Sequence, residues 1–237
     1  MKRTKFFCIL FFAATVFACG GCGKKQQQTQ KDKRFVTKQE KLNENAPEYL
    51  PEFVSISGLR INDTTNNIKV NILCPVPKGK KTEIDLKPIS SFANGLFKDF
   101  VKRAKAAGKQ EGVFHELNVK TVFVNVRNNL LSCLLESRER LAGQEEASSY
   151  FGLTYRATDA KTLSFKQAFP LDEKNFGEFK NLFGDKAEAM SFKDLENCRY
   201  AIGQDSLYIF INKKAGNEWD RYAAAMSAAG VFLINGK

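Results

Sequence analysis

The chain has 237 residues, 43% of them hydrophobic, enough for a globular core of one large domain or two small ones. The formal net charge of +11 does not describe that core: three basic residues lie in the first five positions, and residues 24–41 hold seven Lys or Arg against two acids. From Leu42 onward 27 basic residues meet 24 acidic ones, so the excess sits in a tail, whereas nucleic-acid recognition needs a basic face on a folded module.

Lys2, Arg3 and Lys5 precede an almost wholly apolar run over residues 6–18. A basic start followed by a short apolar stretch is the layout of a secretory signal, expected over residues 1–18. The run is too short for a membrane-spanning helix, which needs about 20 residues. Val16-Phe17-Ala18-Cys19 resembles the lipobox of bacterial lipoproteins. That resemblance implies that Cys19 is acylated and becomes the mature N-terminus. It places the chain in the cell envelope, lipid-anchored to a bacterial membrane and facing the periplasm or exterior. Two or three acyl chains hold a protein stably, each buried CH₂ contributing about 0.8 kcal/mol. Ordinary secretion with cleavage nearby is the alternative, leaving Cys19 a cysteine of the apolar run.

Residues 19–45 read as a lipidated flexible linker, polar and charged and without apolar periodicity. Beside an anchor, its basic residues suit anionic headgroups or wall polymers. A solvated spacer without a partner is the plain reading. Ala46-Pro47 and Leu50-Pro51 mark the entrance to the body.

Residues 53–61 alternate with period two, and Asn62-Asp63-Thr64 punctuates them as a turn. Residues 68–73 alternate again, with Ile68, Val70 and Ile72 on one face; Cys74-Pro75-Val76-Pro77 is expected to stop that strand. Phe92, Leu96, Phe97, Phe100, Val101 and Ala104 form one stripe of a helix over residues 90–107. Ser90 or Ser91 can cap its start and Gly108 its end. The opposite face carries Lys98, Lys102, Arg103 and Lys105, as a solvated face does.

Residues 117–126 alternate, Arg127-Asn128-Asn129 is a turn signal, and residues 130–136 return as the hairpin partner. Residues 150–157 form the next strand, Thr158–Lys161 turns, and residues 162–165 return. A short helix is expected over residues 172–183 and another over 187–197. Residues 207–212 form a strand, the Ala-rich stretch 218–229 reads as helix, and 231–234 as a closing strand. The order predicts an α+β body, with antiparallel sheets and helices packed on one face. Two subdomains of similar size are expected, at 46–112 and 113–237.

No catalytic, cofactor-binding or metal-ligating set emerges. His115 is the sole histidine; His115-Glu116 begins like H-E-x-x-H, but Val119 stands at the second His position. An ordinary surface or turn histidine is expected there. Gly79-Lys80-Lys81-Thr82 lacks the first glycine of a phosphate-binding loop, and no G-x-S-x-G or S-x-x-K occurs. Adjacent Glu145 and Glu146 point apart on either element type and read as a solvated loop. Of the body cysteines Cys74, Cys133 and Cys198, one pair could bridge in an oxidising compartment, and the pairing stays open. Cys133 reads as a small buried hydrophobe.

The alternating strand, then Asn-Asn-Leu-Leu-Ser at 128–132, then the strand at 150–157, the turn at 158–162 and Leu-Ser-Phe-Lys-Gln-Ala-Phe at 163–169 carry a family pattern. They resemble an envelope domain family of poorly defined function. It is found in the lysozyme-sensing anti-sigma factor of Gram-positive bacteria, beside polysaccharide deacetylase domains, and in bacterial lipoproteins. The resemblance extends over roughly residues 50–237. It implies an α+β body with a binding or sensing role outside the cell, and a muramidase or a wall glycan as partner; it transfers no catalytic residue. The family's Gly-Gly-Ala-His segment is replaced here by residues 141–147, which hold no His. No cytoplasmic anti-sigma segment is expected before the signal.

The sequence reading is thus a lipid-anchored, non-catalytic protein that contacts an envelope component, with no cofactor and no nucleic acid. The rival is a secreted accessory enzyme or hydrolase of cell-wall metabolism, which would need a cleft gathering carboxylates such as Glu145, Glu146 or Asp159.

Overall fold

Alternating strands give this chain two sheets that lie face to face. The computed structural model describes residues 47–79, 84–212 and 219–234, together with the backbone of 32–36. Residues 1–31 and 37–46 lie outside it, so the signal, Cys19 and most of the linker are not described. The strands are β1 (Asp32–Val36), β2 (Val54–Asp63), β3 (Ile68–Pro77), β4 (His115–Arg127), β5 (Leu130–Arg140), β6 (Ala147–Arg156), β7 (Arg199–Ile202), β8 (Ser206–Asn212) and β9 (Trp219–Ala225). Helix α1 (Lys87–Ala107) joins β3 to β4; α2 (Phe165–Ala168) and α3 (Glu173–Asn181) lie between β6 and β7, and α4 (Met226–Ala229) follows β9. Strands β1 to β6 form one sheet in sequence order and β7 to β9 a second.

Strand β1 falls inside the stretch expected to be a flexible linker; its backbone pairs antiparallel with β2, Asp32 opposite Asn62. Strands β3 and β4 run parallel, joined through α1, and the other pairs are antiparallel. The sheet therefore continues across residue 112, where a subdomain boundary was expected. The core changes later: residues from Val54 to Ala157 pack with α1, and residues from Leu163 to Leu233 form a second cluster.

Strand β3 runs on through Pro75 and Pro77, where a stop was expected. Its pairing with β4 ends at Ile72 opposite Val119, so the prolines lie where that ladder has finished and no donor is lost to it. The upper half of β4 is covered instead by the entering chain: Glu48 N–H donates to Val122 O (2.7 Å) and Val124 N–H to Tyr49 O (3.0 Å). A bulge between Thr121 and Phe123 inserts Val122 and reverses the inward phase of β4. Leu117 and Val119 below it, and Val124 above it, all face α1, while Phe123 faces the second sheet.

Helix α1 starts at Lys87, earlier than either serine, with Leu86 at the cap and Pro88 in the first turn. Ile89, Ala93, Phe100 and Ala104 are its buried residues, and Gly108 (φ 79°) ends it. Residues 130–137 of β5 are buried on both faces, which the run Leu-Leu-Ser-Cys-Leu-Leu reflects. Leu131, Cys133 and Leu135 face α1; Leu134 meets Ala201 and Phe210 of the second sheet.

The outer face of the second sheet is covered by the aromatic cluster of α2 and α3. Phe165 stacks on Phe169 (4.8 Å) and meets Tyr200 edge-on (5.2 Å). Ser164 and Gln167, and Asp172 and Asn175, form reciprocal capping boxes at the starts of α2 and α3. The return strand expected over 162–165 shrinks to a single bridge between Thr162 and Tyr155, because Ser164 starts a helix. The helix expected over 187–197 is two 3₁₀ turns, Gly184–Ala187 and Phe192–Glu196. The Ala-rich stretch expected to be helical is strand β9, with Tyr222 and Ala224 alternating inward; only Met226–Ala229 is helical. The closing strand expected at 231–234 begins as a 3₁₀ turn, Gly230–Phe232.

The two sheets meet where β7 crosses β6. A Cβ built on Gly152 would stand 1.9 Å from Tyr200 O, so only glycine fits under that backbone. The edge of β7 is held by side chains of the first sheet. Ser132 Oγ accepts Ile202 N–H (2.8 Å) and lies 2.8 Å from Thr154 Oγ1, while Asn125 Nδ2 donates to Gly203 O (2.8 Å) and Ile202 O (3.2 Å).

Gly152→Ala is expected to cost about 3 kcal/mol or more, since backbone cannot move aside as a side chain can. Ser132→Ala should cost about 1–3 kcal/mol by leaving Ile202 N–H without its acceptor. Gly177→Ala, with open space around it in α3, should be neutral or stabilising by up to about 1 kcal/mol. Urea unfolding of the three variants checks the order; a Gly152→Ala protein as stable as the parent would refute the crossing.

Candidate functional site

A cleft of about 400 Å³ opens between α1, the β5–β6 turn and the edge where β7 and β9 approach β6. Arg199, the first residue of β7, lines it. Its guanidinium carbon lies 3.9 Å from the Trp219 ring centre and 4.2 Å from that of Phe151, so the cation rests against two aromatic rings. Nη1 donates to Tyr150 O on the free edge of β6 (3.1 Å). No carboxylate among the described residues pairs with Arg199. Burial brings its pKa down to about 10, which leaves it charged at neutral pH. No fully buried side-chain polar atom among the described residues lacks a partner, so its remaining N–H groups reach solvent.

The facing wall is α1 with the β5–β6 turn. Arg103, on the helix face expected to be merely solvated, forms a two-pronged ion pair with Glu139 (Nη2–Oε2 2.6 Å). Ser137, Gln144, Ser149 and Asn212 add neutral donors and acceptors to the lining. The turn itself is fastened by His115. This residue is fully buried, not at the surface or in a turn as expected. Ala142 N–H donates to its Nδ1 (3.0 Å), so the ring proton sits on Nε2 and donates to Gly108 O (2.9 Å). One imidazole therefore ties the end of α1 to the turn that replaces the His-containing segment of the resembled family. The signal was present in the sequence: His115 has the same parity as Leu117 and Val119 and shares their inward phase.

The other sequence candidates scatter. Glu145 lines the cleft with Glu139, Glu146 is exposed next to it, and Asp159 lies in the turn after β6, paired with Arg156 (3.4 Å). The carboxylates named for a hydrolase are thus not gathered in one cleft. Cys74, Cys133 and Cys198 are free thiols, with no bridge among them; burial pushes Cys74 and Cys198 up to about 12. Gly79 is described, whereas Lys80–Thr82 lie outside. Among the described residues no group of three or more His, Cys, Asp or Glu could hold a metal ion, and no helix is long and apolar enough to cross a membrane.

On the opposite face of the first sheet, Glu136 is buried between Lys120 (2.8 Å) and Arg138 (2.8 Å). Burial alone would raise its pKa; the hydrogen bonds and charges of the two cations outweigh it and hold the carboxyl below its usual range.

The chain is similar in fold to a DUF3298 family protein from Pseudomonas aeruginosa PAO1, with a TM-score of 0.51 and 13% identity over 78% of this chain and 96% of that one. A member of the same family from Bacteroides fragilis NCTC 9343 aligns with a TM-score of 0.42 and 11% identity, over 76% and 94% of the two chains. No family model and no curated protein matches the sequence. The first likeness shows a shared α+β architecture with a protein of a poorly characterised domain family.

Because the folded-state pKa of Glu136 is depressed, its contribution to stability is complete above the unfolded value near 4.3 and is lost as pH falls through the folded value. Glu136→Gln should be about 1–3 kcal/mol less stable than the parent at pH 7. The gap should narrow below pH 4, where the parent's carboxyl is protonated as well. Urea unfolding from pH 7 to pH 3 checks this, and a gap that widened in acid would reverse the sign.

Proposed function

We propose that this chain is a lipid-anchored, non-catalytic binding or sensing protein of the bacterial cell envelope, which contacts an envelope component, a muramidase or a wall glycan, through the surface that contains the Arg199 cleft. The observation that carries the reading is the cleft itself. It joins a cation that lies against two rings and has no acid partner among the described residues to amide and hydroxyl groups, on walls fixed by α1, the His115 tie and the sheet crossing. Such a rigid, mixed-polarity pocket suits recognition of a polar ligand. Its better-placed acid, Glu139, is already engaged by Arg103. The sequence pattern at 128–132 and 163–169 favours kinship with the envelope domain family. The anchor follows from the lipobox-like residues ending at Cys19, and the basic residues that follow it keep the body near an anionic surface.

Metabolic labelling with a palmitate analogue in a bacterial host should mark the full chain and leave the Cys19→Ser variant unmarked; equal labelling of both would remove the anchor. Immobilised full-length chain should capture one saturable partner from an envelope fraction or a muramidase panel. That capture should persist in moderate salt and weaken at least about tenfold in Arg199→Ala, the range seen when a central interface arginine is truncated. Capture that follows only the basic residues 24–41 and vanishes with salt would overturn the reading.

A further inference from the structure

Arg199 and Arg221 both lie against aromatic rings, but Arg221 is exposed whereas Arg199 is half-buried. Arg103, Arg138, Arg140 and Arg156 each meet a carboxylate. Arg199 is half-buried and meets none among the described residues. A guanidinium taken partly out of water without a counter-charge is unfavourable, and its environment is completed by an anion brought from outside. With Trp219 and Phe151 against it, the group offers a ligand the N–H donors that no protein atom takes, and these are not fully buried. They belong to a planar fork of N–H donors, which matches the two oxygens of a carboxylate. Nη1 spends one donor on Tyr150 O, which fixes the orientation of the plane.

The rest of the lining narrows the ligand. Arg103 is neutralised by Glu139, and Glu145 stands exposed at the rim. The formal charge of these four side chains sums to zero, which favours a single carboxylate over a multiply charged phosphate. Asn212, Gln144 and Ser149 offer hydrogen bonds to hydroxyl or amide groups beside it. We propose that the cleft binds a carboxylate on the remaining N–H donors of the Arg199 guanidinium, carried by a small polar ligand of sugar or peptide type. The inference rests on the reading of this cleft as the binding surface and adds the group it recognises.

The test varies the ligand, so it does not depend on a variant that folds. Full-length chain in mild detergent is titrated calorimetrically with two pairs of probes. N-acetylmuramic acid is set against N-acetylglucosamine, which lacks its lactyl carboxylate; N-acetyl-D-alanyl-D-alanine is set against its C-terminal amide. At least one acid is expected to bind saturably, with its neutral counterpart about tenfold weaker or more. The sugar pair and the peptide pair distinguish the two sources. Arg199→Lys, which keeps the charge and loses the fork, should weaken the acid by about tenfold and leave the neutral probe unchanged. Equal binding of acid and neutral probes, or no binding by either acid at millimolar concentration, overturns the inference. If the acids fail while envelope capture succeeds, the carboxylate assignment falls and the binding function stands. If an acid binds while capture fails, the reverse holds.

Discussion

The structure hangs on one crossing. The backbone of β7 lies on β6 at Gly152, closer than any side chain would allow, and Asn125 and Ser132 of the first sheet hold its edge, with Thr154 bonded to Ser132 behind them. A short strand paired on one side only would otherwise bury unsatisfied N–H and C=O groups. Asn125, Ser132 and Thr154 come from β4, β5 and β6 in turn, so the grip spans three strands of one sheet. This polar seam lies beside the apolar contact of Phe123 and Leu134 with Ala201 and Phe210. The hydrogen bonds fix the register of the second sheet, and the apolar contact supplies most of the driving force.

The cleft is a product of that crossing. Arg199 opens β7, one residue before the closest approach, so the seam that seats Tyr200 also carries Arg199 around the free edge of β6. Phe151, next to Gly152, is thereby placed against the guanidinium, and Trp219 reaches it from β9. On the other wall, His115 holds the turn after β5 to the end of α1, so Arg103 and Gln144 line one space. Scaffold and site are therefore built from neighbouring positions: alternate residues of β6 serve the joint (152, 154) and the cleft (149, 151).

Much of the scaffold was legible in the sequence. Period-two runs located β2, β3 and β4, the Asn-Asn turn and the apolar run after it located β5, strand-prone runs located β6 and β8, and the stripe through Phe100 and Ala104 located α1. Asn128 and Asn129 adopt positive φ (50° and 58°) in the hairpin turn their types announced. What failed had local causes. The alanines of β9 carry high helix propensity, and their strand state comes from pairing with β8, a tertiary contact. Pro75 and Pro77 looked like terminators because nothing in the sequence says that β3 leaves β4 at Ile72. The four residues of β7 were too few to show a period. The cleft was less legible still. Arg199, Phe151 and Trp219 are far apart in the chain and join no spacing rule; only the crossing brings them together. Glu145 was singled out as an acid, yet Glu139 of the same cleft is the one whose carboxylate has a defined partner.

The residues through which the sequence resembles an envelope family now have identified tasks. Asn128 and Asn129 turn the hairpin, Ser132 holds Ile202, Ser164 and Gln167 cap α2, and Phe165 and Phe169 fill the second core. None of them lines the Arg199 cleft. A lineage built on this joint could exchange every cleft residue and keep the same architecture, so kinship read from the joint speaks of descent and leaves ligand preference free to diverge.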